Sequence, residues 1–294
     1  MVSMGHDTRR DAAPGYPGAD KPALEEESDV QAQVKDTYKE MASDYDNIRF
    51  VRICASRLVD LTQLQPGESV LDVATGTGHL ALAAAQVVGL TGKVTGLDLT
   101  KEMLEQARRK AEAKGVTNAE WREGDAERPP FPDATFDAVI CSSGIFFLPN
   151  QLAALREWGR VLKPGGRVIF STFAKDNNQY LAELAKQWQE RYGLTVFEAP
   201  TPLPEPSQCR RLLVEADFTD VKVLSERHDY YFSNGDEFWT EFSSTHVRSA
   251  LAKLSAQRRA QFRKDLLTDV EKLARPQGIC RTLALNFALG RKRQ

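Results

Sequence analysis

The stretch that most constrains this chain runs Val70-Leu71-Asp72-Val73-Ala74-Thr75-Gly76-Thr77-Gly78-His79-Leu80-Ala81-Leu82. An apolar run with β-branched residues ends at an acid, breaks at two glycines and resumes as an Ala/Leu-rich helical pattern. The pattern predicts a strand, a tight turn and a helix start. Glycines there allow positive φ and close backbone approach, and the first helical turn aims unpaired N–H groups at the same point. A ligand-binding loop is therefore expected. Gly76, Gly78 and Ala81 also satisfy the G-x-G-x-x-G/A dinucleotide fingerprint. Asp72 argues against that ligand, because a carboxylate beside the first glycine repels a pyrophosphate and accepts from an ammonium group. The loop is read as built for a zwitterion or a cation.

Composition narrows the remaining classes. Of 294 residues, 41% are hydrophobic and 27% charged, the balance of a soluble globular chain long enough for one large domain. A formal net charge of −2 gives no electrostatic case for a nucleic-acid partner. Cys54, Cys141, Cys209 and Cys280 form no C-x-x-C pair and read as reduced, mostly buried thiols. His6, His79, His228 and His246 are too dispersed to suggest zinc, so no metal is expected. Without an apolar run of membrane-spanning length or a signal core, a cytoplasmic protein with no stable membrane insertion is expected.

Residues 1–28, with Pro14, Pro17, Pro22 and Glu25-Glu26-Glu27, read as a disordered tail. From Ser28 as N-cap, Val30, Val34, Tyr38 and Met41 recur at helical spacing, and a second helical pattern covers Ile48 to Leu61. Tyr38 and Tyr45 either face the pocket from these lid helices (29–64) or pack as ordinary aromatics. Lys93 to Asp98 forms a second strand ending in an acid, and Asp98 lies 20 residues past Gly78, the separation at which a Rossmann-type sheet holds a ribose diol. Thr100 caps a helix carrying Met103. Further strands over Ala119–Arg122, Phe136–Ser142 and Arg167–Phe173 alternate with helices, and Lys163-Pro164-Gly165-Gly166 reads as a turn. The pattern demands a Rossmann-like, doubly wound α/β fold, a seven-stranded mostly parallel sheet with helices on both faces. A cofactor core over 65–175 is followed by an acceptor-side region over 176–280 and a last strand within 281–290. That region holds a strand (Val221–Phe232) and helical cap insertions at Asp236–Phe242 and Val247–Leu273. The basic run of Arg248, Lys253, Arg258, Arg259, Arg263 and Lys264 reads as a solvated helix face.

Taken in order, Asp72-x-x-Thr75-Gly76-Thr77-Gly78, Asp98, Gly124-Asp125-Ala126, the Phe136-Asp137 strand and Leu162-Lys163-Pro164-Gly165-Gly166 resemble the class I S-adenosylmethionine-dependent methyltransferases. The resemblance is strongest to the ubiquinone/menaquinone-biosynthesis type and covers residues 34 to 175. It implies S-adenosylmethionine as cofactor, S-adenosylhomocysteine as product and a small-molecule acceptor methylated on carbon, oxygen or nitrogen. By the family pattern, Ala74, Gly76 and Gly78 pass beside the methionine portion with Asp72 near its amino group. Asp98 accepts from both ribose hydroxyls, Leu99 and Met103 flank the adenine, and Asp125 and Ala126 meet its edge. The segment from Ser142 to Phe146 runs beneath the sulfonium, with Tyr38 on the lid.

In-line transfer to a held nucleophile needs positioning, and needs a base only where the acceptor must lose a proton. His79, at the helix start, and Tyr38 are the candidate catalytic residues; His228 and His246 are further candidate bases, each against a structural role. Tyr45, Phe146, Phe147, His228 and Trp239 are expected in an apolar or aromatic acceptor pocket. A homodimer through the cap helices is conceivable. The alternatives are an enzyme of this fold that keeps the cofactor and catalyses another reaction such as cyclisation, a nicotinamide-dependent oxidoreductase, and a cofactor-sensing regulator.

Overall fold

A computed structural model describes residues 23–294. Most of the expected tail lies outside the described residues, and its last six positions are helical, because helix α1 spans Ala23–Met41 and so begins before Ser28.

The seven strands are β1 (Ser69–Val73), β2 (Lys93–Asp98), β3 (Ala119–Glu123), β4 (Phe136–Cys141), β5 (Leu162–Phe173), β6 (Thr219–Phe232) and β7 (Ile279–Arg291). They form one sheet in the order β3-β2-β1-β4-β5-β7-β6. Strands β1 to β5 pair in parallel, and β7 is antiparallel to both its neighbours. The fold is thus the Rossmann-like doubly wound sheet that the alternation of elements implies. Lys163 to Gly166, expected as a turn, belong to the start of β5, where Phe136 pairs with Leu162 before a register shift.

Successive side chains of a strand point to opposite faces, and both faces here are covered, so the inner strands are apolar throughout. Val70, Ile140 and Ile169 pack with α2 (Arg49–Thr62) and α3 (His79–Val88) on one face. Their neighbours Leu71, Val139 and Phe170 pack with α5 (Gln151–Val161) and α7 (Pro206–Glu215) on the other. Trp158, fully buried there, donates its indole N–H to the Ala126 carbonyl at 2.8 Å, so the largest core side chain leaves no polar atom unpaired. Helix α4 (Lys101–Ala113) follows β2.

Beyond β5, the helices α6 (Gln179–Tyr192), α8 (Gly235–Ser243), α9 (Val247–Ala252) and α10 (Ala256–Glu271) close a separate apolar cluster containing Trp188, Phe232, Phe238, Phe262 and Leu266. The stretch expected as one helix from Val247 to Leu273 is two, broken at Ser255, whose hydroxyl accepts from the Arg258 N–H as the N-cap of α10. Lys253, Arg258, Arg259, Arg263 and Lys264 are exposed, but Arg248 is partly buried in an ion pair with Asp44, tying α9 to the lid. Among the described residues no helix is long and apolar enough to cross a membrane.

The turn after β1 depends on two glycines for different reasons. Gly76 has φ +55°, and a Cβ there meets nothing nearer than a Tyr45 ring carbon at 3.6 Å. Gly78 has φ +80°, and a Cβ there lies 2.6 Å from the Trp121 ring and 2.9 Å from Ala107. Gly76→Ala is expected to cost about 1 kcal/mol from backbone conformation alone, and Gly78→Ala about 2–3 kcal/mol once the clash is added. Urea unfolding of the two variants checks this; equal losses would contradict the packing role of Gly78.

Candidate active site

The chain leaves β1 toward β2 and β3 on one side and returns to build β4 and β5 on the other, so a crevice opens at the carboxyl ends of β1 and β4. Both strands end in strained backbone: Ala74 has φ +53° and Ser143 φ +53°. Gly144 lies against Ala74 so closely that a Cβ on it falls 2.7 Å from the Ala74 methyl. Non-glycine residues held in the left-handed region cluster at functional sites. Nothing in the sequence marks Ala74 or Ser143 as strained.

A cavity at this crevice is lined by Tyr38, Ala74, Gly76, Asp98, Leu99, Asp125, Ala126 and Ser142, which brings together eight of the expected cofactor residues. Asp98 Oδ2 accepts from the Gly76 N–H at 2.7 Å and Oδ1 from the Thr100 N–H at 2.9 Å, so this acid joins the loops after β1 and β2. Burial raises its carboxyl above the ordinary range, and those two N–H groups oppose the rise. The Thr100 hydroxyl and the Leu99 N–H oppose it as well, so four donors of the two loops surround this carboxyl. Asp125 accepts from the Glu127 N–H at 2.8 Å and from Gln31 Nε2 at 3.2 Å. Gln31, on α1, also lines the cavity, and motif spacing gives no signal for it.

Three expected cofactor residues stand behind this wall. Met103 is fully buried in a cluster with Met41 and Ile48, Gly78 backs onto Trp121, and Asp72 does not line the cavity. Asp72 Oδ2 accepts from Thr75 Oγ1 at 2.5 Å, and the carboxyl also takes the Ala81 N–H at the start of α3. Burial pushes its pKa up to about 7, and Oδ1 has no hydrogen-bond partner. Asp72 therefore anchors the loop.

Beside the crevice lies a cavity of about 860 Å³ between the sheet and the cap helices. Eight phenylalanines wall it, among them Phe146, Phe147, Phe173 and Phe197, with Phe147 stacked on Phe197 at 5.9 Å. Tyr38, Tyr45, Ser143 and Phe147 line both cavities, so these four side chains form the seam. Tyr38 packs edge-on against Phe147 at 5.3 Å. Burial, assisted by the nearby Asp98 carboxylate, raises both phenols above their ordinary range. Both phenols are thus held protonated at neutral pH.

The other expected residues sit apart from this seam. His79 Nε2 lies 2.9 Å from Asp46 Oδ1, in a cluster completed by Thr77 and Lys110, and lines neither cavity. Burial pushes the Asp46 carboxyl up, but hydrogen bonds from His79, Thr77 and Lys110 hold it well below its usual range. The cluster fastens the lid turn Tyr45–Asn47 to the glycine loop. His228 lies against Glu226 at 3.1 Å, and Glu226 is gripped by Arg57. Trp239 packs in the cap cluster with the Arg263 guanidinium over its ring at 5.8 Å. His246, at the start of α9, does line the large cavity. Surrounding protein and the Arg281 guanidinium lower its pKa, with Glu198 opposing.

Residues 25–195 match the ubiE/COQ5 methyltransferase family. The chain belongs to that family of S-adenosylmethionine-dependent methyltransferases. Aklanonic acid methyltransferase DauC of a Streptomyces species is 36% identical over 149 residues, which is 50% of this chain and 68% of that one. The UbiE C-methyltransferase of ubiquinone/menaquinone biosynthesis from Ectopseudomonas mendocina is 36% identical over 165 residues, 54% of this chain and 64% of that one. The chain thus spans about two thirds of these relatives' length. Among solved structures, the YcgJ protein of Bacillus subtilis shares the fold with a TM-score of 0.56 at 22% identity, covering 82% of this chain and 98% of that one.

The crevice fits the family's cofactor by its own chemistry: two half-buried acids, Asp98 and Asp125, line it with apolar Leu99 and Ala126 beside them. Charge-assisted bonds to a carboxylate are worth about 1.5–3 kcal/mol each. Asp98→Ala is expected to weaken S-adenosylhomocysteine binding at least about tenfold. Calorimetry decides; unchanged affinity in a folded variant would remove Asp98 from the site.

Proposed function

We propose that the chain transfers a methyl group to a small, apolar or aromatic acceptor held in the large cavity. The meeting of the two cavities at Tyr38, Tyr45, Ser143 and Phe147 carries this reading. When bound in the crevice, S-adenosylmethionine supplies a methyl on a sulfonium, which departs as a neutral thioether. The phenylalanine walls hold a flat acceptor by apolar contact and keep water from the reacting atoms. Holding a nucleophile in line supplies much of the acceleration, since fixed orientation is worth about 7–11 kcal/mol in favourable cases. Tyr38 and Tyr45, both protonated, donate to acceptor oxygens at the seam.

Where the acceptor must lose a proton, His246 accepts it. His246 is the histidine on the cavity wall among the described residues; the residue is exposed on one side, and the protein packed around its ring together with the Arg281 charge lowers its pKa, which favours the neutral imidazole. Because the neutral imidazole is the active form, kcat/KM should rise with pH through a pKa below about 6.5 and level off above it. His246→Gln should lower kcat about 10²-fold or more and abolish that limb; an unchanged acid limb in the variant would remove His246 from proton transfer.

The relatives' names speak of aklanonic acid and of ubiquinone/menaquinone biosynthesis, and an acceptor of quinone-like flatness suits the aromatic walls. Incubation with methyl-labelled S-adenosylmethionine and a metabolite extract of the source organism tests the reading by mass spectrometry. A labelled small molecule is the expected result. Cofactor bound by calorimetry with no label transferred, and an enzyme-dependent unlabelled isomer formed instead, would establish the cyclisation reading in its place.

A further inference from the structure

Helix α1 contributes three side chains to the wall of the cofactor crevice, Gln31, Val34 and Tyr38. Their spacing of three and four residues puts them on one stripe, and at 1.5 Å per residue Gln31 stands about 10 Å along the helix axis from Tyr38 and the seam. At that far end its carboxamide nitrogen donates to Asp125 Oδ2 and to Glu127 Oε2, at 3.2 Å each. An amide nitrogen carries two hydrogens, so both of its donors are committed to carboxylates. Turning the amide round would set its carbonyl oxygen against two acceptors. The acids are held from their own side as well, Asp125 Oδ1 by the Glu127 N–H at 2.8 Å and Glu127 Oε1 by the Asn150 N–H.

Two further ties of α1 to the core, Lys35 to Glu123 at 3.3 Å and Lys39 to Glu102 at 3.7 Å, join exposed side chains. Such pairs contribute little. Gln31 is half-buried and Glu127 buried, and Asp125, which they flank, lines the crevice beside Leu99 and Ala126. Fixed at both oxygens, Asp125 cannot swing. A carboxylate accepts and does not donate, so a locked one selects for a donor at one place. A purine with an amino group at position 6 carries a donor there. A purine with an oxygen at position 6 carries its hydrogen on the neighbouring ring nitrogen instead, where a locked acid cannot follow it. Without the bridging amide the two like charges repel, Asp125 turns, and it meets either base.

We propose that Gln31 is the positioning residue that gives the crevice its purine selectivity: by locking Asp125 from the lid helix, it makes the site prefer a 6-amino purine over a 6-oxo purine. The proposal rests on the crevice as the cofactor's site and makes no use of the acceptor. It gives α1 two roles along one stripe, reading the base at Gln31 and walling the seam at Tyr38.

S-adenosylhomocysteine and its 6-oxo analogue S-inosylhomocysteine, titrated by calorimetry into the full chain, read the selectivity directly. The wild type is expected to bind the amino form at least about tenfold more tightly. Gln31→Glu keeps the size of the side chain and sets a third carboxylate in place of the donors, and Gln31→Leu removes the polar group altogether. Each should lower the ratio of the two affinities at least about threefold, chiefly by weakening the amino form. Lys35→Ala loosens α1 one turn further on without touching Asp125 and should leave the ratio within about twofold of the wild type. A wild-type ratio near one overturns the proposal. So does an equal loss of both ligands in the folded Gln31 variants with the ratio kept, which assigns Gln31 to fastening the lid alone. Both of these results leave the proposed methyl transfer standing, whereas binding of neither nucleoside to the wild type overturns the proposal together with the cofactor site.

Discussion

The site depends on the reversal of strand order between β1 and β4. Helices that follow neighbouring parallel strands leave in opposite directions there, so the carboxyl ends face a crevice instead of a crossover. Backbone from both sides must then turn within a few residues of the sheet, and Ala74 and Ser143 take left-handed conformations to do so. Such strain persists only where the surroundings over-determine it. Largely buried β1 and β4, with Gly144 pressed on Ala74, provide that constraint.

Three acids, two of them buried and Asp98 half-buried, divide the work around the crevice. Asp72 ties the glycine loop to Thr75 and the start of α3, Asp98 ties that loop to the turn after β2, and Glu241 gathers two arginines and a tyrosine at the far wall. Burying a carboxylate is affordable only with partners, and each has them. What distinguishes the three is the capacity left over. Asp72 keeps one orphaned oxygen, Asp98 lines the crevice, and Glu241 leaves the Nε of its partner Arg281 buried without an acceptor.

The sheet was legible because its signals are local. Apolar runs ending in acids at Asp72 and Asp98, glycines at 76 and 78, and regular alternation of strand and helix specify the core, and the cofactor-side acids follow from spacing along the chain. The lid and acceptor sides depend on contacts between distant segments. Gln31 reaches Asp125 from 94 residues away, and Asp46 and Lys110 meet His79 from 33 and 31 residues away. A histidine at a helix start reads the same in sequence whether it faces a ligand or an ion cluster, so His79 could not be told from a catalytic residue. His228 and His246 were equally ambiguous; only the tertiary course of β6 and α9 puts the first against Glu226 and the second on the cavity wall. The break at Ser255 did have a local signal, a serine with cap propensity inside an amphipathic stretch.

The account stands on one spatial relation, that the crevice delivers the reactive end of the cofactor to the aromatic cavity through the seam of Tyr38, Tyr45, Ser143 and Phe147. A crystal structure of the chain with S-adenosylhomocysteine measures this most directly. The account predicts the ribose hydroxyls on Asp98 and the sulfur at the seam beside Ser143, facing the large cavity. A sulfur directed to bulk solvent or sealed from that cavity, with the ligand otherwise ordered in the crevice, would contradict it.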